Sequence, residues 1–293
     1  MSYEFSTTRT GKFTIGFRRF GGWQKELAPL IAWAKENRFG AIDLGRDGDS
    51  TSAQVIAAGL KIGSVDLLEW QGLISPDAAK RAAAVEKNNA FIETCAKAGA
   101  RNFFVVMLPE NQALPRLENF VYMVEGFSKL VPVLEKTGTH IVIEGWPGPG
   151  ALCCTPETLR AFFEKVPSKS MGVNYDPSHL LRMGIDPLRF LREFVSRVHH
   201  VHAKDTEFQP ERLYELGGEQ PPTFAPGIKW GGAHWRYTLP GHGVVRWSDT
   251  FKILADAGYK GCVSVELEDM NFNGAEETEK TGLILSRSYL EGC

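Results

Sequence analysis

The sequence predicts an α/β fold, a (β/α)8 TIM barrel forming one domain over residues 1–293, and three observations carry that expectation. Eight short, β-rich apolar runs alternate with amphipathic stretches of helical period. The chain divides into units of about 37 residues, which suits eight strand–helix units with some insertion. A doubly wound open sheet usually opens on a glycine-rich phosphate turn, and "GFRRFGG" at the corresponding place is not G-x-G-x-x-G.

The strands are read in order as "FTIGF" (13–17), "AIDLG" (41–45), "KIGSVDL" (61–67), "NFFVVML" (102–108), "HIVIEGW" (140–146), "MGVNYD" (171–176), "VHHVHAKD" (198–205) and "CVSVELED" (262–269). Helices are expected between them. "WQKELAPLIAWAKEN" follows the first strand and "SAQVIAAG" the second. The third helix, "PDAAKRAAAVEKNNAFIETCAKAGA", has a proline where a first helical residue is expected. The fourth, "LENFVYMVEGFSKLVPVLEKTG", stops at Gly138. "PETLRAFFEKV", "DPLRFLREFVSR", "SDTFKILADAGY" and "AEETEKTGLILSRSYLEG" complete the alternation. Residues 206–246 are rich in Pro, Gly and aromatics and predict a long loop acting as a lid or substrate wall.

Composition narrows the function classes. The formal net charge of −2 gives no electrostatic warrant for nucleic acid or an anionic membrane as partner. No apolar run reaches the roughly 18 residues of a membrane-spanning helix, and the first residues are polar without a signal-peptide core. The five cysteines are odd in number and fit no zinc spacing, so they read as reduced thiols of a cytoplasmic protein.

Catalytic groups of a barrel sit at the C-terminal ends of its strands. The first four strands end quietly. The fifth ends in Glu144, the sixth in Asp176 with His179 beyond, the seventh carries His202, Lys204 and Asp205, and the eighth ends in Glu266 and Glu268. Side chains alternate across a strand, so Glu144 shares a face with Val142 and Trp146, His202 with His200 and Lys204, and Glu266 with Ser264. If those faces point inward, three carboxylates and an imidazole converge. Carboxylates in one pocket repel unless a positive charge compensates. One divalent cation held by Glu144, Asp176, His202 and Glu266 does so; the mostly hard oxygen donors suit Mn²⁺, Mg²⁺ or Co²⁺ without choosing among them, Zn²⁺ is an alternative, and Mn²⁺ is the ion expected. Taken singly, each such residue is more often a solvated charge or a helix cap. Their succession at four consecutive strand ends is what favours a metal.

The stretches "IVIEGW", "GVNYDPSHLL", "VHHVHAKDTE", "LPGHGVVRW" and "GCVSVELED" resemble the sugar phosphate isomerase/epimerase superfamily, the xylose isomerase-like barrels with tagatose/psicose 3-epimerases and inosose dehydratase among them. The resemblance implies that the same four residues bind the metal, that His179 contacts substrate, and that Arg236 in "HWRYTLPG" reaches the site from the long loop. Trp146, with Trp230 and Trp235 of the long loop as alternatives, is an expected stacking surface for a sugar, and Lys204, on the His202 face, the remaining substrate contact. Members often have an acidic residue where this chain has His242.

The expected activity is that of a metal-dependent keto-sugar isomerase or epimerase, with Glu144 and Glu266 exchanging protons through a stabilised enediolate. The same enediolate serves a dehydratase or lyase acting on a 3-keto sugar or inosose. An endonuclease IV-like repair enzyme needs histidines from early strands, and none precedes His140. A non-catalytic sugar-binding barrel would not need all four ligands. A small-molecule sugar is the expected partner, with a homo-oligomer an open expectation.

Overall fold

Eight parallel strands close on themselves in the order β1-β10-β7-β6-β5-β4-β3-β2. They are β1 (Thr14–Arg18), β2 (Ala41–Leu44), β3 (Lys61–Asp66), β4 (Asn102–Val106), β5 (His140–Glu144), β6 (Met171–Tyr175), β7 (Val198–Ala203) and β10 (Cys262–Val265). The computed structural model describes residues 13–293, so the polar first segment lies outside the described residues. All eight anticipated strands are present. They are buried on both faces, as parallel strands wrapped by helices must be.

The helices are α1 (Leu27–Glu36), α2 (Gly48–Ala57), α3 (Ala78–Lys97), α4 (Arg116–Ser128), α5 (Val131–Thr137), α6 (Pro156–Lys165), α7 (Pro177–Arg182), α8 (Pro187–Phe194), α9 (Pro210–Leu216), α10 (Trp247–Asp256) and α11 (Glu276–Glu291). Among the described residues, none is long and apolar enough to cross a membrane. In α3 the proline is not the first helical residue. Asp77 is the N-cap, its carboxylate accepting from the Ala79 and Lys80 amides, and Pro76 precedes it. The fourth expected helix is two, because Pro132 has no N–H to give the Ser128 carbonyl and its ring crowds that group. Its second half does stop at Gly138, which is left-handed at φ 62°.

Between the outward strand faces and the helices lies an apolar layer that includes Phe17, Phe103, Ile141, Phe162 and Phe251. Inside the barrel the apolar filling is small: Phe104, Val106 and Val142, with Trp70, Leu108 and Trp146 packed against them. The rest of the interior is polar.

The 206–246 segment is more regular than its composition suggests. β8 (Asp205–Phe208) and β9 (Trp235–Thr238) form an antiparallel ribbon pairing Asp205 with Thr238 and Glu207 with Arg236. The ribbon begins one residue after β7, so it rises directly from the C-terminal mouth of the barrel.

Candidate active site

Glu144 ends β5, Asp176 caps α7, His202 lies in β7 and Glu266 follows β10. Each offers a ligand atom, and these atoms lie within 4.8 Å of one another, all on buried residues. The alternation read from the sequence places them: Val142 and Glu144 both face inward, as do His200, His202 and Lys204.

The carboxylates divide their oxygens between scaffold and site. Glu144 Oε1 accepts from Asn174 Nδ2 at 2.8 Å and faces His202 Nδ1 at 2.7 Å. Asp176 Oδ1 accepts from the Ser178 amide at 2.9 Å and hydroxyl at 2.6 Å, which makes it a true helix cap. Its Oδ2 is buried with no hydrogen-bond partner among the described residues. The capping role and a ligand role therefore use different oxygens of one side chain.

Positive charge comes from the chain itself. Lys204, fully buried, donates to Glu266 Oε2 at 2.5 Å and Glu268 Oε2 at 2.9 Å and lies 3.3 Å from Asp176 Oδ2. Arg18, from the supposedly quiet first strand, sits 3.3 Å from Glu266 Oε1 and forks onto Asp66 with bonds of 2.9 and 3.0 Å. Burial alone would raise the Glu144 and Glu266 carboxyls. The charge of His202 holds Glu144 well below the usual range, and Lys204 lowers Glu266. Glu268 goes the other way, raised by burial and by the neighbouring Glu266 charge despite Lys204. Burial disfavours a charged His202, yet Glu266, Glu144 and Asp43 raise it to about 10.

Asp43 is a residue the sequence reading missed. It sits in β2 and is fully buried. His200 Nε2 is 2.8 Å away, His202 Nε2 3.2 Å, and Ser264 Oγ donates at 2.7 Å. Burial would raise its carboxyl; the imidazoles, His200 foremost, hold it well below the ordinary range. Gly63 makes room, since a Cβ there would stand 2.0 Å from Asp43 Oδ1 and 2.8 Å from His200 Cε1. By bonding Nε2 of His202, Asp43 leaves Nδ1 as the nitrogen turned to Glu144 and Glu266, the carboxylate–histidine arrangement common behind metal ligands.

The expected substrate contacts fare differently. His179 is buried, 2.7 Å from the Tyr237 hydroxyl through Nδ1, with Nε2 3.5 Å from Glu144 Oε2 and 3.4 Å from Asp176 Oδ2. Trp146 packs on the inner apolar cluster beside Glu144. Lys204 is at the centre of the carboxylates. Arg236 is not brought to the cluster. It pairs with Glu207 at 2.6 Å and Asp269 at 3.2 Å, because alternation along β9 turns its neighbour Tyr237 inward instead. Tyr237 also contacts Lys204, whose ammonium lies 4.4 Å over its ring, and burial keeps its phenol above the ordinary range. His242 is exposed and takes no part in the site. Its loop is organised by Asp205, which accepts from the Thr206, Gly241 and Val245 amides.

A family model described as xylose isomerase-like TIM barrel matches residues 22–288. The chain belongs to that family. An inosose dehydratase from Bacillus cereus is 28% identical over 163 residues, 56% of this chain and 52% of the relative. The chain thus aligns with about half the length of the curated relatives it matches. Among solved structures, a 3-keto-D-glucoside 4-epimerase from E. coli superposes with a TM-score of 0.71 at 15% identity, over 96% of this chain and 100% of that one. An IolI protein with a bound zinc atom superposes at 0.66 and 16% identity, over 95% of each chain. Both likenesses are of the fold.

The donor set of this family member fits a divalent ion on its own geometry. Three carboxylates and one imidazole nitrogen converge, Asp176 Oδ2 lacks a hydrogen bond among the described residues, and His202 is oriented from behind. Lys204, Arg18 and a protonated His202 balance the same carboxylates without one. Arg18, Asp43 and Asp66 left one faint signal in the sequence: Arg18 and Asp66 end, and Asp43 interrupts, strands whose other interior residues are apolar or small.

Proposed function

We propose that this chain is a divalent-metal-dependent enzyme of keto sugars that moves a proton at the carbon beside the carbonyl, giving epimerisation or aldose–ketose isomerisation. The observation that carries the reading is the convergence of Glu144, Asp176, His202 and Glu266 at the strand ends. Those four would hold the ion, which when bound supplies Lewis acidity toward a substrate carbonyl and a neighbouring hydroxyl. Glu144 and Glu266 are the proposed bases. β6 and β7 lie between their strands in the barrel, so they approach a substrate from different sides. In the metal-free chain both are held ionised, Glu144 by the charge of His202 and Glu266 by Lys204; a bound ion would take over the part of the His202 charge, and an ionised carboxylate is the form that accepts a C–H proton. His179, Lys204 and Trp146 are the proposed substrate contacts, with Trp146 offering a ring face.

A second reading is supported by Glu268. Two neighbouring carboxyls pushed in opposite directions suit a base and an acid. In that reading Glu268 gives a departing β-hydroxyl its proton, so the same site serves a dehydratase on a 3-keto sugar or inosose. The 28%-identical inosose dehydratase adds to this reading.

Product analysis decides between the two. The manganese-loaded protein is incubated in deuterium oxide with a panel of ketohexoses and with an inosose. Deuterium beside the carbonyl with retained formula indicates epimerase or isomerase; loss of water indicates dehydratase. Glu144→Gln and Glu266→Gln should lower kcat far more than they raise KM. No exchange and no dehydration in any substrate would overturn the assignment.

A further inference from the structure

The β8–β9 ribbon delivers a tyrosine, not an arginine, to the buried histidine. The Tyr237 hydroxyl lies 2.7 Å from His179 Nδ1 and 2.8 Å from Arg182 Nη1. A guanidinium has no acceptor, so Arg182 donates to that oxygen. Arg182 is itself fixed, with Nη2 donating to the Pro147 carbonyl at 2.9 Å and its guanidinium 4.7 Å over the Trp235 ring. The phenol has one proton of its own. Among the described residues, the remaining hydrogen-bond partner of the Tyr237 hydroxyl is His179 Nδ1. A neutral imidazole that accepts at Nδ1 carries its hydrogen on Nε2. That Nε2 belongs to a side chain 1% exposed and has no hydrogen-bond partner among the described residues. It stands 3.5 Å from Glu144 Oε2 and 3.4 Å from Asp176 Oδ2.

We propose that Arg182 and Tyr237 are positioning residues that hold His179 with Nδ1 accepting from the phenol and Nε2–H turned as a hydrogen-bond donor to a substrate oxygen lodged beside Glu144 and Asp176. The proposal rests on the keto-sugar reading of the site. A donor oriented in advance stabilises charge developing on that oxygen, whereas the other tautomer would turn a lone pair toward it. The two donors are built differently: Arg182 sets the direction of the phenol, and the phenol sets the proton of the imidazole.

Two-bond proton–nitrogen NMR spectra of protein labelled with [¹⁵N]histidine test this directly. They are recorded at pH 8, metal-free and with Mg²⁺, with the His179 signal identified by its loss in His179→Gln. The expected wild-type result is a protonated Nε2 and an accepting Nδ1. Tyr237→Phe should give a mixture of tautomers and lower kcat on the responsive ketose about 10–100-fold. Its Mn²⁺ affinity by calorimetry should be unchanged. Arg182→Lys, which keeps a donor, should retain most of the single tautomer; Arg182→Met should behave like Tyr237→Phe and replaces it if that variant does not fold. A wild-type Nδ1–H tautomer, or wild-type spectra and kcat in both Tyr237→Phe and Arg182→Met, would overturn the proposal. A single Nε2–H tautomer in a protein that exchanges deuterium into no ketose would uphold the relay and overturn the sugar chemistry.

Discussion

Loading the site with a divalent ion should release a proton from His202. In the chain alone, its Nδ1 faces Glu144 Oε1 at 2.7 Å and its Nε2 faces Asp43 Oδ2 at 3.2 Å, so a doubly protonated ring has an acceptor at each end. Burial works against that charge, but Glu266, Glu144 and Asp43 outweigh it and raise the imidazole to about 10. Only a deprotonated nitrogen ligates a metal. At pH 7, about 3 units lower, removing the proton costs about 4 kcal/mol at about 1.4 kcal/mol per unit. Apparent affinity for Mn²⁺ should therefore rise about tenfold per pH unit between about pH 7 and 9. Calorimetric titration of Mn²⁺ at pH 7 in buffers of different ionisation enthalpy counts the protons released, and about one per ion is expected. The raised imidazole also fixes the sign for the metal-free chain. Its stabilisation is complete below about pH 6.5 and is lost as pH climbs toward about 10. A heat of binding that does not depend on the buffer would refute His202 as a ligand or its charge in the free protein.

Three further outcomes follow from single side chains. Asp43→Asn turns an amide toward His200, His202 and Ser264; Mn²⁺ affinity should fall about 10–100-fold and urea stability by about 3–5 kcal/mol, and unchanged affinity would show that Asp43 does not orient His202. Gly243→Ala places a methyl 2.4 Å from the Thr206 carbonyl oxygen and close against Asp205 Oδ1, so the loop should shift and stability drop by about 1–3 kcal/mol in denaturant titration. His199 stacks on His140 at 3.8 Å, and burial with its neighbour's charge lowers it to about 4. The unfolded chain then takes up a proton that the folded one refuses, so stability should fall between about pH 6.5 and 4 by up to about 3 kcal/mol. A urea-stability profile of His199→Gln should be flatter over that range, and an identical acid limb would sink the attribution.

The sequence by itself determined the eight strands and which residues share a face on three of them. Both rest on local periods: two residues per strand repeat, 3.6 per helical turn, and a proline that ends the strand at Asp176. Glu144, His202 and Glu266 were legible because, with Asp176, they stand in succession at the ends of the last four strands of the barrel. The tertiary structure alone decided what surrounds them. Asp43 stands 157 residues from His200 and 221 from Ser264, and only barrel closure brings them together. Arg18 and Asp66 looked quiet because their partners lie on other strands. The ribbon β8–β9 was hidden in a stretch of loop composition, since short antiparallel strands are fixed by each other and by the mouth they rise from. Its register decided that Arg236 faces Asp269 and Tyr237 faces His179, a one-residue difference that no local period records, because side chains on a strand reverse face at every step.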